Sequence, residues 1–201
     1  MKTKKYIPLL PLLIAITLLI LVITYFILPS KYTHKIDKDT ILATPSSPNQ
    51  TFNLTTIKGE QFQVDLTLNH IKIEKMSKKI VFLKIFGWDC HYCKKEIKEL
   101  VNLKKELGDA FEVVAIESQR HSLEENEQLS KEYGINYHII MGEKFQRLFG
   151  YLIEHYDWSG VIPLTIVLGE NGKILAFETG YKSYSLSELL KTSIIKGEKN
   201  D

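Results

Sequence analysis

The stretch "DCHYC", residues 89–93, holds both cysteines of the 201-residue chain, Cys90 and Cys93, two residues apart. Thiols at this spacing suit three chemistries: half of a zinc site, a short structural staple, or a redox couple. Zinc takes four ligands in a tetrahedron. The six histidines (His34, His70, His91, His121, His138, His155) are scattered and form no H-x₃₋₅-H pair, and His91 lies inside the motif itself. No metal site is expected. A staple closing so short a loop restricts the unfolded chain little and stabilises poorly. Thiol–disulfide exchange remains, and the local pattern favours it. The motif falls where an apolar run, "KIVFLKIF" (79–86), gives way to helical periodicity over 91–107. A sulfur at a helix N-terminus meets unpaired N–H groups and the positive end of the dipole, which favours thiolate. Lys94 and Lys95 add positive charge one turn on. Cys90, the more exposed, would attack a partner's disulfide, and Cys93, one turn into the helix, would resolve the mixed disulfide.

The elements that must hold this pair are legible in the periodicities. "FNLTTIKGEQFQVDL" alternates on both sides of Lys58-Gly59, a hairpin signal. The β-branched and aromatic run 79–86 is expected to be a central strand. Ile97, Leu100, Val101 and Leu107 recur at helical spacing after Cys93. Then come a strand at 111–117, a helix at 122–134, a short strand at 137–141 and a short helix at 144–152. Ser122 and Glu125 make a capping box for the second helix, and Gly134 stops it. A hairpin over 163–180 turns at Asn171-Gly172, and a helix over 185–195 follows. This order describes an α/β domain with a mixed sheet and helices on both faces. Gly87 is expected to permit a tight turn before the motif.

Composition is that of a globular protein, 44% hydrophobic and 25% charged. With 26 basic residues against 24 acidic, no nucleic-acid partner is implied. The N-terminus differs: residues 6–28 carry no charge and are long enough to cross a bilayer as a helix. A cleavable signal peptide also begins with lysines. This run exceeds an h-region, however, and "ILPSKYTHK" offers no small-x-small cleavage site. Pro8 and Pro11 lie in the first turns, where a helix tolerates proline. Lys2, Lys4 and Lys5 before the span and Lys31, Lys35 and Lys38 after it leave the positive-inside bias weak. The expectation is a cytoplasmic head 1–5, an uncleaved anchor 6–28, a tether 29–50 ending in Pro45-Ser46-Ser47-Pro48, an outward-facing domain 51–197 and a tail 198–201.

"FLKIFGWDCHYCKKEI" resembles the active-site segment of thioredoxin-fold proteins, and "GVIPLTIVLGENGKI" resembles their cis-proline strand and following hairpin. With the leading hairpin and the anchor, the chain is similar to the TlpA/ResA-type membrane-anchored thiol–disulfide oxidoreductases. The resemblance implies a thioredoxin-like fold over 51–197 and a Cys90/Cys93 redox disulfide. It makes Pro163 the cis-proline facing that disulfide, leaving the backbone of Ile162 free to pair with a partner peptide. It gives Glu96, three residues after Cys93, the task of managing the buried thiol's proton. A plain solvated helix glutamate is the competing reading. It also implies that Trp88, His91 and Tyr92 lie beside the substrate.

Three residues depart from the pattern. Lys84 stands where thioredoxin has a buried acid, and Asp89 stands before the first cysteine, displacing Trp88 by one. Tyr92 matches the CxYC of periplasmic isomerase-type proteins and hints at a more oxidising couple. Asp89 opposes a thiolate on Cys90, whereas His91 supports it when protonated. Trp158, Tyr151, Tyr156 and His155 either line a partner groove or belong to core and rim. The function implied is an extracytoplasmic, single-pass enzyme of a bacterial-type membrane. It would reduce protein disulfides, for instance in cytochrome c maturation, fed by a membrane thiol-reductant carrier and using no soluble cofactor. The rivals are an oxidase or isomerase, a copper-binding assembly chaperone (although the familiar copper spacing is CxxxC) and a redox-inert interaction domain.

Overall fold

The computed structural model describes residues 47–142 and 146–199. The expected head and anchor, most of the tether (up to residue 46), the last two residues of the tail and residues 144–145 of the third expected helix of the domain lie outside the described residues. Among the described residues no helix is long and apolar enough to cross a membrane.

Among the described residues, eight strands and four α-helices follow one another. The hairpin β1 (Gln50–Thr55) and β2 (Gln61–Leu66) is extended by a short β3 (Ile71–Ile73) into an antiparallel sheet of order β1-β2-β3. Then come β4 (Ile80–Phe86), α1 (His91–Leu107), β5 (Phe111–Glu117) and α2 (Leu123–Glu132). They are followed by β6 (His138–Met141), α3 (Gln146–Tyr156), β7 (Leu164–Leu168), β8 (Ile174–Thr179) and α4 (Leu186–Lys199). The main sheet has order β6-β5-β4-β7-β8, with β4, β5 and β6 parallel and β7 and β8 antiparallel additions. The three-residue β3 has too short a period to be read from sequence.

Strand alternation splits the interior into two cores. Val81, Leu83 and Ile85 of β4 join Val114, Ile116, Leu164 and Ile166 on one face, beneath α3 and the N-terminal sheet. Phe82 and Phe86 point the other way with Val113, Ala115 and Val167, against Ile97, Leu100 and Leu103 of α1 and Leu186 and Leu189 of α4. Each fully buried Phe, Leu or Ile contributes about 1.5–3 kcal/mol. Lys84 shares the α1 face by the same alternation. It pairs in register with Ala115 on β5 and Thr165 on β7, at the middle of the sheet.

The aromatics before Pro163 are core and rim rather than an open groove. Trp158 and Tyr151 are fully buried, Trp158 Nε1 donates to the Val161 carbonyl, and Tyr156 stacks on Phe177. The Tyr151 and Tyr156 hydroxyls donate to the carbonyls of Pro48 and Thr67, at 2.6 and 2.5 Å, and so tie the N-terminal segment to α3.

Candidate active site

The chain leaves β4 at Phe86, turns through Gly87 and enters α1 at Cys90. The turn is closed by a bond from the Cys90 N–H to the Gly87 carbonyl at 3.2 Å. Gly87 is needed for space rather than for a left-handed backbone: a Cβ there would run into the side chain of Gln119. Gln119 Oε1 in turn accepts from the Asp89 N–H at 2.7 Å, which fixes the turn from the β5 side.

Cys90 is the N-cap of α1, in extended conformation, and its Sγ accepts from the Cys93 N–H at 3.2 Å. An N-cap acceptor of this kind satisfies one of the helix's orphan donors, and no acidic residue sits in the first turn to oppose charge on it. Cys93 shares the buried face of α1 with Glu96, Ile97, Leu100 and Leu103, and its residue exposure is 1%. The two cysteines are joined as a disulfide, with Cα atoms 5.2 Å apart. Cys90 Sγ lies 4.0 Å from the carbonyl oxygen of Ile162, and the Ile162–Pro163 peptide is cis. The Pro163 carbonyl accepts from Gly180 N–H at 2.7 Å, which anchors the loop to the end of β8. The partly exposed Cys90 sulfur therefore faces the Ile162–Pro163 loop, with the buried Cys93 sulfur bonded to it from behind.

Glu96 is 8% exposed, so the solvated-glutamate reading is overturned. Its Oε2 lies 2.6 Å from Nζ of Lys84, itself 1% exposed, and Lys84 Nζ also donates to Thr165 Oγ1. Burial pulls the Lys84 ammonium below its ordinary value, opposed first by Glu96 and then by Glu99. Burial, with the charge of Glu96, pushes the Tyr137 phenol upward on the other side of the same space.

Trp88 is placed differently from the expectation that it touches substrate. Its residue exposure is 1%, its ring stacks on Tyr133 and meets Phe86 edge-on, and Nε1 donates to Oδ1 of fully buried Asn126 at 2.8 Å. The side chain offers no surface to a partner; it packs beneath the turn. Tyr92 is exposed and stacks on Tyr181 at 4.8 Å, with Lys95 Nζ over both rings, while His91 packs edgewise on Tyr92.

Sequence reasoning missed Tyr181, whose distance along the chain hides its place beside Tyr92. It also missed the surroundings of Asp89. His121 stands between Asp89 (Nε2–Oδ2, 3.5 Å) and the fully buried Glu117 (Nδ1–Oε1, 3.3 Å), so the acid next to Cys90 has a basic ring beside it. Among the described residues no group of three or more His, Cys, Asp or Glu side chains is placed to hold a metal ion.

Residues 48–177 match the model of the AhpC/TSA family. The chain belongs to that family, as a thioredoxin-like thiol–disulfide oxidoreductase. It is 26% identical over 135 residues to the thiol-disulfide oxidoreductase ResA of Bacillus subtilis, covering 67% of this chain and 72% of that protein. In fold it is similar to the thioredoxin domain of a thiol-disulfide oxidoreductase from Bacteroides vulgatus. That match has a TM-score of 0.54 at 19% identity and covers 77% of this chain and 97% of the other. StoA of Bacillus subtilis matches with a TM-score of 0.51 at 21% identity, over 75% of this chain and 99% of the other. A thioredoxin-family thiol:disulfide interchange protein from Chlorobium tepidum matches at 0.55 and 18%, over 77% and 99%.

Proposed function

We propose that the chain is a membrane-tethered extracytoplasmic reductase of protein disulfides. In this reading residues 1–5 are cytoplasmic and 6–28 span the membrane. Residues 29–50 tether a catalytic domain over 51–197, and 198–201 are a short tail. The observation that carries the activity is Cys90 at the N-terminus of α1, 4.0 Å from the Ile162 carbonyl, with Cys93 buried behind it.

Reduced Cys90, as thiolate, attacks a sulfur of the partner's disulfide, and the partner's other sulfur leaves as thiolate. The partner strand lies along the free backbone of Ile162 beside Pro163, as an added edge strand does, with His91 and Tyr92 flanking it. Cys93 gives its proton to Glu96 and attacks Cys90, reforming the intramolecular disulfide and releasing the partner's second thiolate. Two electrons pass to the partner, and a membrane-bound thiol carrier restores the dithiol. The dithiol is itself the redox group, so no soluble cofactor takes part. Haem-binding cysteines awaiting cytochrome c assembly are one fitting client class.

The test is the reduction potential of the Cys90/Cys93 couple in glutathione or dithiothreitol buffers. A value near the roughly −270 mV of thioredoxin supports the reductase; a value near about −120 mV makes the protein a disulfide donor, as Tyr92 in the motif would favour. Absence of a reversible dithiol couple would sink the enzyme reading altogether.

A further inference from the structure

The proton step above leaves a charge problem. Cys93 is buried, so its thiolate is disfavoured by desolvation. A carboxylate acceptor with no counter-charge would make matters worse, because the site would hold net negative charge at every stage. The chain instead puts an amine in the centre of the sheet. Lys84 descends from the middle of β4 onto the α1 face, and Glu96 comes down from α1 three residues after Cys93 to meet it at 2.6 Å. The Thr165 hydroxyl accepts from the ammonium across the neighbouring strand. A small cavity of about 10 Å³ is lined by Lys84, Glu96, Cys93 and Tyr137 together, so all four groups border one space. It has room for about one water at most.

We propose that Lys84 is the buried counter-ion of the Cys93 thiolate, a positioning residue that keeps the site electrically neutral while the proton moves between Cys93 and Glu96. Before the step the site holds ammonium, carboxylate and thiol. After it, the site holds ammonium, carboxylic acid and thiolate. Net charge is unchanged, and the ammonium that was paired with Glu96 then faces a site whose negative charge has moved to sulfur. The S–S bond forms as the Cys93 thiolate displaces the partner thiolate from Cys90, and Glu96 gives the proton it took to that departing thiolate. The inference rests on the proposed order of attack, Cys90 first and Cys93 second.

Other charged or titratable groups bear on this site from the surrounding elements. Glu99 on the same helix acts on Lys84 through space, and its Oε2 accepts from the Leu186 N–H at 2.8 Å. Tyr137, just before β6, faces Glu96 with its phenol pushed further from ionisation by burial. From β5 and β7 the in-register neighbours of Lys84 are Ala115 and Thr165, neither of which titrates. The midpoint observed for the resolving step therefore belongs to the Lys84–Glu96–Cys93 set and not to one group alone.

The experiment uses the reduced full-length chain, in mild detergent, with one equivalent of 5,5′-dithiobis(2-nitrobenzoate). The first thionitrobenzoate is released by Cys90 and the second by ring closure through Cys93, and the rate of the second is followed from pH 5 to 9. In Lys84→Met the midpoint of the second release is expected to rise by about one pH unit. That cuts the thiolate fraction about tenfold at neutral pH; the more basic sulfur is also more nucleophilic, leaving a net slowing of roughly threefold. Thr165→Val, which removes one acceptor from the ammonium and keeps the side chain's shape, moves the midpoint by a smaller amount and carries the test if Lys84→Met does not fold. Unchanged midpoints, or a slower second release with an unmoved midpoint, would overturn the proposal and leave Lys84 a packing residue. Release of a single equivalent by the wild-type chain would overturn the order of attack itself.

Discussion

The acid side of the stability curve follows from Glu112. This carboxylate is 5% exposed near the start of β5. Its Oε2 lies 3.1 Å from Lys104 Nζ, 3.7 Å from Lys79 Nζ and 3.8 Å from His138 Nε2, and Oε1 accepts from the Val113 N–H at 3.1 Å. Burial alone would raise its pKa, but His138, the Val113 N–H and Lys104 together outweigh burial and bring it from 4.5 down to about 2. A carboxyl depressed on folding adds stability that is full above the unfolded value and is lost as pH falls through the folded one. The window here is pH 4.5 down to about 2. At about 1.4 kcal/mol per decade the difference corresponds to roughly 3 kcal/mol. His138 at 3.8 Å is beyond hydrogen-bond reach and Lys79 is partly solvated, so about 2 kcal/mol is the better figure. Glu112→Gln keeps the shape and removes the charge. Urea unfolding, followed by the fluorescence of the buried Trp88 and Trp158, should show the variant about 2 kcal/mol less stable at pH 7. The gap should close steadily below pH 4.5. A gap that stays constant from pH 7 to 3, or widens on acidification, would refute the reasoning.

Three further outcomes are expected. Asn126→Leu strips the acceptor from Trp88 Nε1 and the donor from the His121 and Ser122 carbonyls. It should cost about 2–4 kcal/mol in urea unfolding, and a variant as stable as wild type would show the buried amide to be dispensable. Tyr181→Ala removes the ring stacked on Tyr92 and under Lys95. It should change stability by under about 1 kcal/mol, yet slow reduction of a peptide disulfide severalfold while leaving a small aromatic disulfide unaffected; equal slowing of both would remove Tyr181 from the partner surface. Gly172→Ala forces a Cβ at φ +78° toward the Ile71 carbonyl. A loss of roughly 1–3 kcal/mol is expected by thermal unfolding, and a neutral result would mean the β3 contact is loose.

Much of this architecture was legible because its signals are local. Ser122 and Glu125 form the reciprocal capping box expected at α2, the Ser122 N–H donating to Glu125 Oε2 at 2.8 Å. The buried strands were readable as apolar runs, and the Cys90–Cys93 spacing was itself a helix-terminus signal. What escaped depends on register between segments far apart in sequence. Lys84 could be seen to stand where an acid was expected, but not to meet Glu96, because that contact needs the phase of β4 and the rotation of α1 together. Counting alternation from Val81 does place Lys84 on the α1 face once α1 is known to cover it. Trp88 misled because a large aromatic beside a reactive cysteine reads as surface, whereas the polar partner that lets it bury its indole is Asn126, 38 residues on.

The two sulfurs are treated in opposite ways by their surroundings, and this difference assigns their order in the proposed reaction. Cys90 is surrounded by groups in contact with solvent: the helix N-terminus, which favours its thiolate, an exposed Asp89, which opposes it, and the His121 ring beside Asp89. Cys93 is served by a closed set, Lys84, Glu96 and Thr165, on the sheet side of α1. In the proposed reaction a thiolate on Cys90 therefore forms by exchange with water, whereas one on Cys93 forms by moving a proton within the protein. Environments that push two like groups apart divide an entry role from an internal one. Here the boundary is one turn of helix, and in this proposal the residue that makes the inner side tolerable to charge is a lysine in the middle strand.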